Sequence, residues 1–194
     1  MNTIEYYNKN AKEYFDTTIN GDMKKSYDLF LKDLEKGSLI LDFGCGSGRD
    51  SKYFIENGYL VDAIDGSSEL CKLASEYINQ EVKCMDFNDL NVINKYDAVW
   101  ACSSIIHVKK ENLKDILIKI ANSIKNGGVF YTCFKNGSGE EINNGRYFNY
   151  LTYDEFISLI NEINLFDVIH FYQTNSSTNP DEEKLWNNFI MVKK

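Results

Sequence analysis

Glycines stand at 44, 46 and 48, directly after the apolar run Leu39-Ile40-Leu41-Asp42-Phe43, and Asp42 and Asp50 bracket them. So many glycines in one turn let a ligand come close to the backbone. A phosphate-cradling nucleotide loop needs a longer run closed by Gly-Lys-Ser/Thr, which Gly48-Arg49-Asp50 does not supply. The nicotinamide fingerprint needs its third glycine three places after the second; here it comes two places after, beside Arg49. A pyrophosphate would also meet both flanking acids. Asp65 lies 21 positions after Gly44 and ends the segment YLVDAID, an offset at which a carboxylate reaches a ribose hydroxyl. The pattern therefore points to a ribose-bearing ligand without pyrophosphate. The competing reading is a tight turn beside a solvated acid.

Other side chains offer substrate chemistry. His107 lies in SSIIHVKKEN, just past the apolar segment 96–104. An ordinary histidine titrates at about 6.5, so His107 suits a general base, or else a loop hydrogen bond. His170, inside FDVIHFYQ, reads as a structural strand residue. Lys135 and Arg146 flank the polar segment NGSGEEINNG, with Tyr147 and Tyr150 close behind. Two bases beside a pocket suit an anionic substrate group such as a carboxylate, unless Arg146 pairs with Glu140 or Glu141. Cys45, Cys71, Cys84, Cys102 and Cys133 are dispersed, which reads as free thiols in a reducing compartment. None has zinc-ligand spacing, so no metal site is expected.

These residues need elements to hold them. Apolar spacing predicts a helix over 21–36, a strand at LILDF, a helix over 49–56 and a strand at YLVDAID. A serine-capped helix over 67–78 and a strand at EVKCMD follow. Then come a strand over 96–104, a helix over 112–124, a strand at VFYTCF and a helix over 152–163. Two final strands, FDVIHFYQ and WNNFIMVK, are joined by the polar loop TNSSTNPDEEK, so they should pair antiparallel. Strand and helix otherwise alternate, which predicts an α/β fold with a doubly wound, mostly parallel sheet and helices on both faces. Ligands of such sheets bind beyond the carboxyl ends of the strands, where the glycine turn lies. The segment 136–145 reads as a flexible loop, over a mouth or disordered.

LDFGCGSGRD, followed by AID at the second strand and Asp86 at the end of the third, resembles the class I, Rossmann-like, S-adenosylmethionine-dependent methyltransferases over roughly residues 36–194. The resemblance implies a seven-stranded sheet of order 3-2-1-4-5-7-6 with strand 7 antiparallel, and S-adenosylmethionine over the central strand ends. On that resemblance Gly44 and Gly46 admit the methionyl part of the donor, with Cys45 and Cys102 at its border. Asp65 holds the ribose beside Gly66, and Asp86 takes the adenine amino group with Phe87 against the ring. Asp42 either orients the loop or meets the donor's ammonium through water. The tyrosine-dense stretch 5–15 either packs on the sheet or closes over the donor through Tyr6 or Tyr14. The substrate side is then His107, Lys135, Arg146 and Tyr147.

The expected whole is one methyltransferase domain over 1–194, with an N-terminal helical segment at 1–35 and a donor-binding core at 36–194. A net charge of −8, from 29 acids against 21 bases, argues against nucleic acid as partner. No leader and no membrane-length apolar run is read, which predicts a cytoplasmic protein without a membrane partner. The expected activity is methyl transfer to a small molecule, by a monomer or homodimer. An RNA or protein methyltransferase and a noncatalytic donor-binding subunit are the alternatives.

Overall fold

In a computed structural model, residues 2–177 and 184–194 are described. Two short helices, α1 (Thr3–Lys9) and α2 (Ala11–Thr18), precede α3 (Lys24–Phe30) and strand β1 (Leu39–Phe43). The chain then alternates through α4 (Arg49–Glu56), β2 (Leu60–Asp65), α5 (Ser68–Ile78), β3 (Val82–Cys84) and β4 (Tyr96–Ala101). Next come α6 (Lys110–Ser123), β5 (Ile124–Lys135), and a pair of strands, β6 (Gly139–Asn143) and β7 (Arg146–Tyr150). Helix α7 (Tyr153–Ile163), β8 (Phe166–Thr174) and β9 (Trp186–Lys193) complete it.

Seven strands form one sheet in the order β3-β2-β1-β4-β5-β9-β8, which is 3-2-1-4-5-7-6 when the main-sheet strands alone are counted. The pairs from β3 to β5 are parallel, and β9 runs antiparallel to both β5 and β8. Successive strand residues face opposite sides. Leu41, Phe43, Val99, Phe130 and Phe189 accordingly join one buried cluster with Leu113, Leu117 and Ile120 of α6 and Phe156 of α7. Ile40, Ala98, Trp100, Tyr131 and Ile190 join the other, with Tyr27, Phe30, Phe54, Ala74 and Ile78 of α3, α4 and α5. Both faces are covered, as two-sided apolar strands require.

The helix ends explain themselves locally. The Ser67 hydroxyl accepts from Leu70 N–H at the start of α5. Thr152 and Glu155 form a reciprocal capping box on α7.

Some expectations need correction. The helix expected over 21–36 covers only Lys24–Phe30; Met23, Leu31 and Leu34 still pack on the sheet, but from turns. The fifth strand begins at Ile124, ahead of its apolar run. The segment 136–145 is no loose loop: most of it builds the β6–β7 hairpin. Its turn is Asn144-Gly145, with φ of 51° and 84°, the left-handed pair a tight hairpin demands. Of the polar loop expected at 174–184, residues 178–183 lie outside the described residues.

Candidate active site

The carboxyl ends of β1, β2 and β4 meet at the glycine turn. Gly44 has φ of 86°, and a Cβ there would sit 2.4 Å from Ser104 Cβ. Gly46 has φ of 54°, and its Cβ would press on the Tyr14 ring at 3.1 Å. Both positions combine a left-handed backbone with a close neighbour, so glycine is required twice over. Gly46 N–H donates to Asp65 Oδ2 at 2.9 Å, and Ser67 N–H donates to Asp65 Oδ1 at 2.8 Å. Burial pushes the Asp65 carboxyl up in pKa and these backbone donors oppose it.

Two cavities adjoin here. The smaller, about 80 Å³, has Gly66, Asp65, Asp86 and Phe87 in its wall and Ile4 of α1 across it. The larger, about 590 Å³, is lined by Cys45, Arg49, Lys135, Arg146 and Phe148 among others. Tyr7, Tyr14, Cys102, Ser103 and His107 belong to both walls, so they mark the passage between the two spaces.

His107 sits on a short helical turn, Ile105–His107, held by the backbone of β7. Its Nδ1 is 2.6 Å from the Tyr147 carbonyl, which can only accept, so Nδ1 carries the proton. Nε2, 2.9 Å away, then accepts from the Tyr7 hydroxyl. Burial, with the Arg146 and Lys135 charges, lowers His107 to about 4. The ordinary titration expected for this histidine is thus displaced, and it is neutral at physiological pH. Burial pushes its partner Tyr7 up to about 12.

The other expected residues divide. Arg146 lines the larger cavity, its guanidinium over the rings of Tyr6 (4.7 Å) and Phe148 (5.1 Å), its buried Nε without a hydrogen-bond partner. Lys135 lies over the Phe148 and Trp186 rings at 5.2 and 5.4 Å. Tyr147 is brought near only through its backbone: its side-chain hydroxyl turns to Glu140 and its carbonyl holds His107. Tyr6 supports Arg146 and lines neither cavity, whereas Tyr14 lines both. Asp42 is buried beneath the turn, accepting from the Ser51 hydroxyl at 2.6 Å, so it orients the loop and meets no cavity. Its pKa is raised by burial and by Asp50. The Asp86 side chain accepts from Asn88 N–H at 2.8 Å while still facing the smaller cavity. Phe87 stacks on Phe43 with centroids 4.3 Å apart.

Sequence reading missed Tyr7 and Arg49. Arg49 pairs with buried Asp50 at 2.6 Å, and Asp50 also accepts from Trp100 Nε1 at 2.8 Å. Tyr7 could have been found from its spacing, seven residues ahead of Tyr14 in the same aromatic stretch. For Arg49 no local signal exists, since adjacency to Asp50 reads as surface charge.

The fold is the class I, Rossmann-like methyltransferase fold, and residues 40–128 match a family model described as a methyltransferase domain. Among curated relatives the chain is similar to an uncharacterized methyltransferase of Staphylococcus carnosus, 27% identical over 136 residues, covering 66% of this chain and 65% of the relative. The chain spans less than two thirds of the length of the curated relatives it matches. Among solved structures it is similar to the Burkholderia thailandensis 1,6-didemethyltoxoflavin-N1-methyltransferase with bound 1,6-didemethyltoxoflavin and S-adenosylhomocysteine (TM-score 0.77, 19% identity, 98% of this chain and 85% of that one). A [4+2]-cyclase, SpnF, is also similar (TM-score 0.76, 14% identity, 99% and 96%). At these identities the structures attest the fold, and one fold hosts several chemistries.

Proposed function

We propose that the protein is an S-adenosylmethionine-dependent methyltransferase acting on a small molecule. The observation that carries this is the pair of adjoining cavities that share Tyr7, Tyr14 and His107 in their walls. The side chains and backbone of the smaller wall have the chemistry to hold a nucleoside once α1 gives way. The Asp65 oxygens accept from backbone N–H groups, Gly46 and Ser67 among them, and keep lone pairs for ribose hydroxyls. A Cβ on Gly66 would meet Ile4 Cδ1 at 2.6 Å, so that wall is closed tightly by backbone on one side and α1 on the other. Asp86 faces the adenine end with Phe87, and Gly44, Cys45, Gly46 and Cys102 border the methionyl end. Helices α1 and α2 act as the lid through Tyr7 and Tyr14. When bound, the donor supplies a sulfonium methyl group for in-line displacement.

The rest falls to this chain's side chains, which position the acceptor and take its proton. Arg146 and Lys135 hold an anionic group of the acceptor in the larger cavity. Burial is the larger cause of the His107 depression, and such a group offsets the smaller part that comes from Arg146 and Lys135. The acceptor's proton passes to the Tyr7 oxygen while the Tyr7 proton moves to His107 Nε2. The acidic chain, at −8, supports a small-molecule acceptor over RNA. Among the described residues no helix is long and apolar enough to cross a membrane; with the free thiols, this supports a cytoplasmic setting.

The test is transfer of label from methyl-tritiated donor into a clarified extract, separated into small molecules, RNA and protein. Label should enter the small-molecule fraction and disappear with Asp65→Ala, which should weaken S-adenosylhomocysteine binding by about 2 kcal/mol, roughly 30-fold by calorimetry. Label confined to RNA or protein would replace this reading, and donor binding with no transfer would favour a noncatalytic subunit.

A further inference from the structure

We infer that Cys133 and Cys102 form a thiol-modification site in the wall of the larger cavity, where Cys133 attacks a low-molecular-weight disulfide and Cys102 resolves the product to an internal disulfide. The inference stands apart from the methyl-transfer reading, because it is read on the protein without donor or acceptor.

Cys133 lies on β5, and Cys102 is the residue just past the end of β4. The parallel pairing of β4 with β5 runs through Ala101 opposite Thr132, and Cys102 and Cys133 come next on each chain. At Ala101 and Thr132 the strands lie about 4.8 Å apart, inside the Cα spacing of about 4.4–6.8 Å that a disulfide spans, and, one residue on, both sulfurs stay beside the same Ser103 hydroxyl. Both side chains reach the larger cavity, although Cys133 is only 3% exposed. A small disulfide that enters this cavity meets the sulfur in its wall.

Ser103 is built around that sulfur. It takes φ of 53°, a left-handed backbone that a serine seldom adopts. The result is an N–H aimed at Cys133 Sγ from 3.3 Å, with the Ser103 hydroxyl 3.6 Å away. The same hydroxyl lies 3.8 Å from Cys102 Sγ, so both sulfurs touch one oxygen. Arg49 reaches Cys102 Sγ from 3.9 Å, with its charge paired to Asp50. The Cys102 thiol, and after it the Ser103 hydroxyl and N–H, hold Cys133 below the ordinary thiol range, whereas Cys102, the donor in the pair, is pushed up. Cys45 and Cys71, also buried, are pushed up by burial and by Asp65. Thiolate character is what makes a cysteine nucleophilic, so Cys133 is set apart from the other buried thiols.

The chemistry balances in two steps. The Cys133 thiolate attacks one sulfur of the small disulfide, forming a mixed disulfide and releasing one small thiolate. The Cys102 sulfur then attacks Cys133 Sγ, breaks the mixed disulfide and releases the second small thiolate, which takes the Cys102 proton. Two protein thiols are oxidised and one small disulfide is reduced to two thiols.

The experiment uses the full chain carrying Cys84→Ser, which removes the exposed cysteine. It is treated with bis(2-hydroxyethyl) disulfide at neutral pH, quenched in acid and mapped by non-reducing peptide mass spectrometry. A Cys102–Cys133 linkage should form on the order of tenfold faster than any adduct on Cys45 or Cys71. Adding Cys102→Ser should stop the reaction at a mixed disulfide on Cys133. Adducts on Cys102 with Cys133 still reduced, or a Cys133 rate no greater than that of Cys45, would overturn the inference. Both readouts come from proteins that retain Cys133, so a folding failure of Cys133→Ser cannot decide the matter.

Discussion

His107 shows at the residue scale how its surroundings reset a side chain. Folding lowers it from about 6.5 to about 4. Between those values the unfolded chain binds more proton than the folded one, so stability falls as pH falls. This contribution is fully present above about pH 6.5 and is lost progressively toward 4. His107→Gln keeps an amide donor for the Tyr147 carbonyl and an acceptor for Tyr7 but does not titrate. Urea midpoints of the two proteins should separate on acidification, the wild type losing on the order of 1–3 kcal/mol more by pH 4. Parallel curves would mean that His107 titrates normally.

At the element scale, α1, α2 and the β6–β7 hairpin form one cover. Tyr147 N–H of β7 donates to Thr3 Oγ1 at 3.0 Å, joining hairpin to α1. Asn8 of α1 accepts from Ser67 Oγ at 2.8 Å, at the entry to α5. Thr18 of α2 donates to Ser47 Oγ at 3.0 Å, in the glycine turn. Two short helices with almost no fully buried residue open more readily than strands buried on both faces. Hydrogen exchange should therefore be fast in α1, α2 and the hairpin of the free protein. Saturating S-adenosylhomocysteine should slow all three together; slowing confined to the glycine turn would mean that the cover does not act as a lid. The hairpin was legible after the fact: Asn144-Gly145 is a strong turn signal, but the polar residues around it masked the strands.

At the scale of the whole molecule, the sheet depends on its antiparallel member. β9 lies between β5 and β8 and contributes Phe189, Ile190 and Met191, all fully buried. Phe189 packs against the Phe156 ring at 4.3 Å and the Phe171 ring at 5.2 Å, so it ties β9 to α7 and β8. Phe189→Ala should cost about 3–5 kcal/mol, read by urea unfolding. A loss below about 1 kcal/mol would mean that this end of the sheet repacks freely. The acidic molecule also gathers Arg49, Lys135 and Arg146 around one cavity, a distribution that net charge conceals.

The sequence by itself determined the alternation of strand and helix, the sheet order through its resemblance, and the turn at Gly44, Gly46 and Gly48. Those features are local: apolar period, capping residues and glycine spacing act within a few neighbours. Only the tertiary structure decided that Asp42 lies beneath the loop and that Tyr147 contributes its carbonyl. The same holds for Tyr7 meeting His107 and for Ser103 bringing its donors onto Cys133. Each of these pairs residues from separate elements, and burial, hydrogen-bond direction and charge exist only once those elements are packed together.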